Sequence, residues 1–207
     1  MSEPTLYVGR FSRSERTLHW VHACAFLVLL GSGLALYLPQ LAERIGRRPL
    51  LKDVHVYTAV AWLAAIVAIV VLGDRAGLRR TVRELEWFDQ DDRDWLRGRH
   101  APQGRFNAGQ KLNAAISAAL AVLFAVSGFL LWLGERDTAY RFASTLLVHD
   151  WLMWVALVLL VGHLYLAVIH PATRHALRGM TRGSVRYEWA EAHHPKWVRR
   201  ESEPGSE

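Results

Sequence analysis

Four stretches of the chain are almost free of polar residues, at about 20–38, 54–72, 112–133 and 146–169. Each is close to the ~20 residues needed to cross about 30 Å of hydrocarbon as a helix. Asp150 is the one Asp, Glu, Lys or Arg inside these runs, and all 25 Lys and Arg residues lie outside them. A helix on the surface of a water-soluble protein carries charges along one face of every turn. The segregation therefore predicts an all-α protein, an integral membrane four-helix bundle. The first run lacks a small-residue cleavage site and is followed by three comparable runs. It is expected to remain as a span rather than to act as a signal peptide.

The polar segments between the runs set the organisation. Residues 1–18 form a short arm with Arg10, Arg13 and Arg16, in which Ser12 or Ser14 is placed to cap the first helix. Pro39 closes the first run and Pro171 the fourth. The longest polar stretch, 73–111, has the core RELEWFDQDDRDWLRGR, which mixes both signs of charge with aromatic residues. That composition predicts one or two surface helices or a partner-binding loop, not disorder. Residues 1–200 are read as a single membrane domain and 201–207, ESEPGSE, as a disordered tail.

Charge fixes the expected orientation. The N-terminal arm, the 73–111 stretch and the segment after Pro171 hold 3, 9 and 7 Lys and Arg, against 4 and 2 in the other two connections. Basic residues accumulate on the cytoplasmic side, so both termini are expected in the cytoplasm. The net charge of +6 has the same explanation and does not point to nucleic acid. The single cysteine, Cys24, excludes a disulfide within the chain, CxxCH haem attachment and a cysteine-ligated iron–sulfur cluster.

The chemistry of the runs lies in their histidines. His149 and His163 share the fourth run, fourteen residues and therefore about 21 Å apart along a helix, within ~40° of the same direction. His55 opens the second run at the depth of His149, and His19 opens the first at the depth of His163. Two bis-imidazole sites stacked across the membrane use all four. Neutral imidazole binds haem iron, and two axial rings leave no position for oxygen, which suits electron transfer. His22 competes with His19 for that role, and His170 with His163; spacing does not decide either.

Other readings of these residues are boundary histidines at headgroup level, a zinc site, or quinol binding without haem. An ionisable residue within a span is a functional candidate by default, which favours His163 most. His100, His175, His193 and His194 fall in polar segments and are expected to be solvated or to face a partner. Gly31, Gly33, Gly128 and Gly162 allow close approach of helices or of a macrocycle. Trp20, Tyr37, Trp132 and Trp151 fit an interfacial aromatic belt. Asn107 and Gln110, at the mouth of the third run, are able to bond a quinone carbonyl, and Asn107 equally to cap a helix.

Several motifs together resemble the cytochrome b (gamma) subunit of membrane-bound respiratory formate dehydrogenase. They are LHW at Leu18–Trp20, VH at Val54–His55, RFNAGQK at Arg105–Lys111, the VH…GHLYLA block around His149 and His163, and WAEAHHPKW at Trp189–Trp197. The resemblance implies two b-type haems, held by His55 with His149 and by His19 with His163, in preference to His22 and His170. It implies a quinone site, menaquinone or ubiquinone, involving Asn107, Gly109 and the His163 region, with Gln110 nearby. It also implies an iron–sulfur (beta) partner subunit and, through it, a molybdenum or tungsten catalytic (alpha) subunit that oxidises formate; that chemistry is not encoded here. An acid, Asp150, directly beside His149 departs from the expected surroundings of a ligand.

The expected function is thus transfer of electrons from the iron–sulfur subunit through two haems to quinone, together with anchoring of the complex. A cytochrome b subunit of a nickel–iron hydrogenase or other periplasmic oxidoreductase shares the route with a different donor. A haem-free membrane anchor is the alternative from another class. A transporter is disfavoured, since Asp150 is the only formal charge in the spans and no pair of broken helices is apparent.

Overall fold

The structure is a computed structural model and describes residues 5–202; of the expected disordered tail, 203–207 lie outside the described residues. In chain order it contains strand β1 (Tyr7–Gly9), helices α1 (Arg13–Tyr37), α2 (Pro39–Ile45), α3 (Arg48–Leu72), α4 (Arg75–Glu86), α5 (Gln90–Leu96), α6 (Ala108–Gly134) and α7 (Ala143–Leu164), then α8 (Leu177–Arg182), strand β2 (Ser184–Arg186), α9 (Tyr187–His193) and α10 (Pro195–Ser202). Four helices, α1, α3, α6 and α7 with its continuation to Ile169, are long and apolar enough to cross a membrane.

The helix ends follow from local chemistry. Ser12 and Glu15 form a reciprocal cap at the start of α1: the Ser12 hydroxyl accepts from the Glu15 amide at 3.2 Å and the Glu15 carboxylate from the Ser12 amide at 2.6 Å. Ser14 instead accepts from the amide of Asp74 at 2.9 Å. Proline stands in the first turn of α2 and of α3, where its missing N–H costs nothing. The polar 73–111 stretch holds two helices, α4 capped by Asp74 and α5 by an Asp89–Asp92 capping box. After Leu164 the last turn of the fourth span widens into a π-helix, Tyr165–Ile169, closed by the His170 amide donating to the Tyr165 carbonyl at 2.9 Å.

The chain forms two compact units. One comprises Thr17–Gly73 and Ser117–Gly162, the greater part of the four spans. Its surface is apolar to an extent water does not tolerate: Val60, Val67, Leu72, Val122, Phe129 and Val158 are all exposed. Large continuous apolar surface of this kind marks a membrane or ligand interface.

The other unit gathers the described parts of Met1–Arg16 and His163–Glu207 with Asp74–Ile116. Here β1 and β2 pair antiparallel, Val8 opposite Val185. Val185, Ala190, Trp197 and Val198 form a small core beneath Val8, Tyr187 and Trp189. Polar groups are buried beside it as ion pairs: Arg105 with Glu15 at 2.8 Å and with Glu84 at 2.6 Å, and Lys111 with Asp92 at 2.6 Å. The two-stranded ribbon is an addition to the all-α expectation. Its strands are three residues each and lie at opposite ends of the chain, too short for alternation to register.

Candidate cofactor site

Helix α3 carries His55 and α7 carries His149, and the two rings meet inside the span unit. Their centroids are 6.2 Å apart and their planes cross at 72°. Each ring is tied to a serine of a different helix. Nδ1 of His55 lies 2.9 Å from Oγ of Ser32 on α1, and Nδ1 of His149 lies 2.8 Å from Oγ of Ser127 on α6. A glycine follows each serine. A Cβ on Gly33 would stand 3.5 Å from Cε1 of His55, and a Cβ on Gly128 3.5 Å from Cε1 of His149. Phe124 meets the edge of the His149 ring at 5.2 Å.

The pair opens on a cavity of about 920 Å³. Its walls are mostly apolar, with Phe26, Leu30, Phe124, Leu131 and Met153 among them, whereas Arg48, Lys52, Glu135 and Arg141 line it where the helices end, and Asp150 from within α7. Lys52 and Glu135 pair there at 2.6 Å. A volume near the top of the usual 300–1,000 Å³ range for small-molecule pockets suits a large cofactor. An apolar chamber with cationic groups at one end suits a macrocycle that carries carboxylates.

The donor set fits haem iron. A metal midway between two imidazoles, bonded at about 2.0 Å to each with roughly 1 Å more to each ring centre, separates the centroids by about 6 Å. With Nδ1 of each ring on a serine, Nε2 is the nitrogen left on each that could ligate a metal. Among the described residues no three His, Cys, Asp or Glu side chains come together as a metal group, so zinc's usual set of four protein ligands has no counterpart.

The remaining histidines divide sharply. His19 is half-buried on α1, edge-on to Trp20 with centroids 5.4 Å apart. His22, its competitor, packs on Phe26 and on Trp62 of α3, at 6.2 and 5.6 Å. His163 is in the last turn of α7, and the π-helix begins two residues later. His170 has left the helix, with φ −63° and ψ 123°, and its ring lies 5.8 Å from that of Tyr165.

His194 departs from the sequence expectation. It is 2% exposed, not solvated. Its Nδ1 lies 2.7 Å from the carbonyl oxygen of Gly104 and its Nε2 3.1 Å from Nη2 of Arg10. The HHPKW motif therefore closes the core of the second unit. Burial first, then the Arg10 charge, pushes the His194 ring down to about 3. Arg10 itself is pushed down to about 9, mainly by burial and then by Arg105, and its guanidinium lies over the rings of Phe11 and Trp189 at 5.2 and 5.3 Å. His193 instead stacks on Trp189 at 4.9 Å.

The second unit contains a smaller cavity of about 510 Å³, lined by Trp95, Asn107, Gln110, Trp189, His193 and His194 among others. Asn107 and Gln110 also cap α6 reciprocally: the Asn107 side-chain oxygen accepts from the Gln110 amide at 2.9 Å, and the Gln110 side-chain oxygen from the Asn107 amide at 3.1 Å. Gly109 is not in the cavity wall; Trp95 lies over it, 3.1 Å from where a Cβ would stand.

Facing imidazoles in an apolar chamber, carried by lipid-compatible helices, define a membrane cytochrome of the b type. A family model described as prokaryotic cytochrome b561 matches residues 10–183, and the chain belongs to that family of haem-binding helical membrane proteins. It is similar to the formate dehydrogenase cytochrome b556(fdo) subunit of Escherichia coli (strain K12), 26% identical over 93% of this chain and 92% of that protein. It is also similar to the formate dehydrogenase cytochrome b556 subunit of Haemophilus influenzae, 23% identical over 93% of this chain and 82% of that protein. The nitrate-inducible formate dehydrogenase cytochrome b556(Fdn) subunit of Escherichia coli (strain K12) is 25% identical over 89% of this chain and 87% of its own length.

Proposed function

We propose that this chain is the membrane cytochrome b subunit of a formate dehydrogenase complex, which carries electrons from an iron–sulfur subunit through two haems to quinone and anchors the complex. The observation that carries the reading is the His55–His149 pair, 6.2 Å apart in its apolar cavity. The relatives' names support a formate dehydrogenase complex; the iron–sulfur subunit on the outer side and the molybdenum or tungsten catalytic subunit beyond it are our reading from the motifs shared with the gamma subunit. His55 and His149 hold one haem, and His19 and His163 hold the other. The bound haems supply a one-electron relay.

The chain's own residues do the rest. With two imidazoles from this chain holding it, a haem iron would have no position left for oxygen and would supply electron transfer alone. The walls are largely Leu, Phe and Met, and Arg48 and Arg141 are the cations able to match the carboxylates of the macrocycle, since Lys52 is paired with Glu135. For quinone, the capping of α6 uses the amide oxygens of Asn107 and Gln110, so their NH₂ groups are the donors presented to a carbonyl. Gly109 contributes by admitting Trp95 to the cavity wall. The basic flanks support a reading with both termini in the cytoplasm and the protein in the bacterial inner membrane, in which quinone reduction at that face takes its protons from inside.

The test is the complex purified with its partner subunits. Two b haems per copy of this chain, both reduced by formate and reoxidised by a quinone analogue, are expected. One haem or none overturns the two-site reading. A nickel–iron partner in place of a molybdopterin one moves the protein to a hydrogenase complex.

A further inference from the structure

Ser32 and Ser127 perform the same act on different helices. Oγ of Ser32 lies 2.7 Å from the carbonyl oxygen of Val28, one turn back on α1, and Oγ of Ser127 lies 2.7 Å from that of Leu123 on α6. A hydroxyl has one proton, and in each serine a carbonyl, which can only accept, takes it. The 2.9 and 2.8 Å contacts to the imidazoles therefore run the other way: Nδ1–H of His55 and of His149 donates to a serine lone pair. Both serines are buried, at 7% and 6% exposure. A back-bonded serine in an apolar helix is common by itself. Two of them, each followed by a glycine that leaves room for the ring and each meeting one of two facing histidines, are not explained by helix chemistry alone.

We infer that Ser32 and Ser127 are positioning residues that fix the tautomer of His55 and His149, present both Nε2 atoms to one iron, and set that iron's reduction potential. The inference rests on the haem reading of the pair. An Nδ1–H that donates to an acceptor makes the ring a more basic ligand and favours the oxidised metal. Removing the acceptor therefore favours the reduced form. The pairing also makes a prediction across helices: both serines act on the same haem and leave the other untouched.

The experiment is an optical redox titration of the purified complex carrying Ser32→Ala, Ser127→Ala, both together, or Ser127→Thr, with haem content measured in parallel. Each alanine variant is expected to keep two haems and to shift one titration component about tenfold toward the reduced form, an increase of about 59 mV for one electron. The double variant shifts the same component further, and Ser127→Thr, which keeps the hydroxyl, titrates as wild type. Where alanine costs the haem, Ser127→Val against Ser127→Thr decides the matter, since the two side chains share a shape and differ only in a methyl against a hydroxyl. Unshifted potentials, equal behaviour of Thr and Val, or shifts in different haems for the two serines would each overturn the proposal. Loss of the haem reading itself appears separately, as His55→Ala and His149→Ala proteins that retain full haem content.

Discussion

Nε2 of His194 accepts from Arg10 at 3.1 Å. The guanidinium has only donors to offer, so this ring nitrogen carries no proton and the other, at Gly104, must carry it. The contact exists only while His194 is neutral, and protonation would set two cations against each other in a buried site.

That relationship gives a pH dependence. The ring is held down to about 3 in the folded chain, largely by burial, against about 6.5 when unfolded. Between those values the unfolded chain binds the extra proton, so stability is fully present above pH 6.5 and declines as pH falls toward 3. From pH 7 to pH 5 the loss from this residue is about 2 kcal/mol. Thermal unfolding of the detergent-solubilised complex should show it. His194→Gln keeps an acceptor and a donor without titrating, and is expected to remove that part of the slope.

Arg105 holds a denser arrangement. It bonds Glu15 at 2.8 Å, Glu84 at 2.6 Å and the Arg10 carbonyl at 3.0 Å, and its side chain is 4% exposed. Arg105→Ala leaves Glu15 buried without its cation, a change that costs about 3–5 kcal/mol. Arg105→Lys keeps the charge but has one ammonium for four partners, the Thr81 hydroxyl being the fourth, and is expected to recover only part of the loss. The yield of folded complex and its midpoint of thermal unfolding measure both.

The glycines beside the histidine pair predict a graded response. At Gly33 and Gly128 a Cβ meets an imidazole carbon at 3.5 Å, ordinary contact distance. Gly128→Ala should therefore retain both haems. Gly128→Leu places further carbons where the His149 ring stands and should lose one haem while the chain still inserts. Haem per chain, with the yield of membrane-inserted protein as control, separates the two outcomes.

Much of this was legible from hydrophobic segregation alone. The four spans lie inside α1, α3, α6 and the fourth helix, which begin a few residues earlier because polar caps such as Ser12 and Asn107 sit outside the apolar runs. Depth matching brought His55 to His149. It was blind to what lies beside them, although the Ser-Gly dipeptides at 32–33 and 127–128 are visible in the sequence as a repeated small polar step inside two apolar runs. His194 was misjudged because its neighbours in sequence are polar, while its burial comes from Arg10 and Gly104, far away in the chain. The β1–β2 ribbon was hidden for the same reason: its pairing joins the two ends of the chain.

The two candidates near the end of the fourth span can be told apart by substitution. His163 is helical, in the last turn of α7, so its ring direction is set by the span. His170 lies past the π-helix in extended backbone, with Nδ1 3.3 Å from the Thr173 hydroxyl and its ring beside Tyr165. The extra residue in the π turn rotates everything after it, so the seven-residue spacing no longer places His170 on the face of His163. His163→Ala is expected to lose one of two b haems and with it quinone-linked oxidation of formate. His170→Ala is expected to keep both haems and to alter at most the stability of the turn before Pro171. Haem quantification on the two purified variants checks this directly, and loss of a haem in His170→Ala with retention in His163→Ala would assign the ligand the other way.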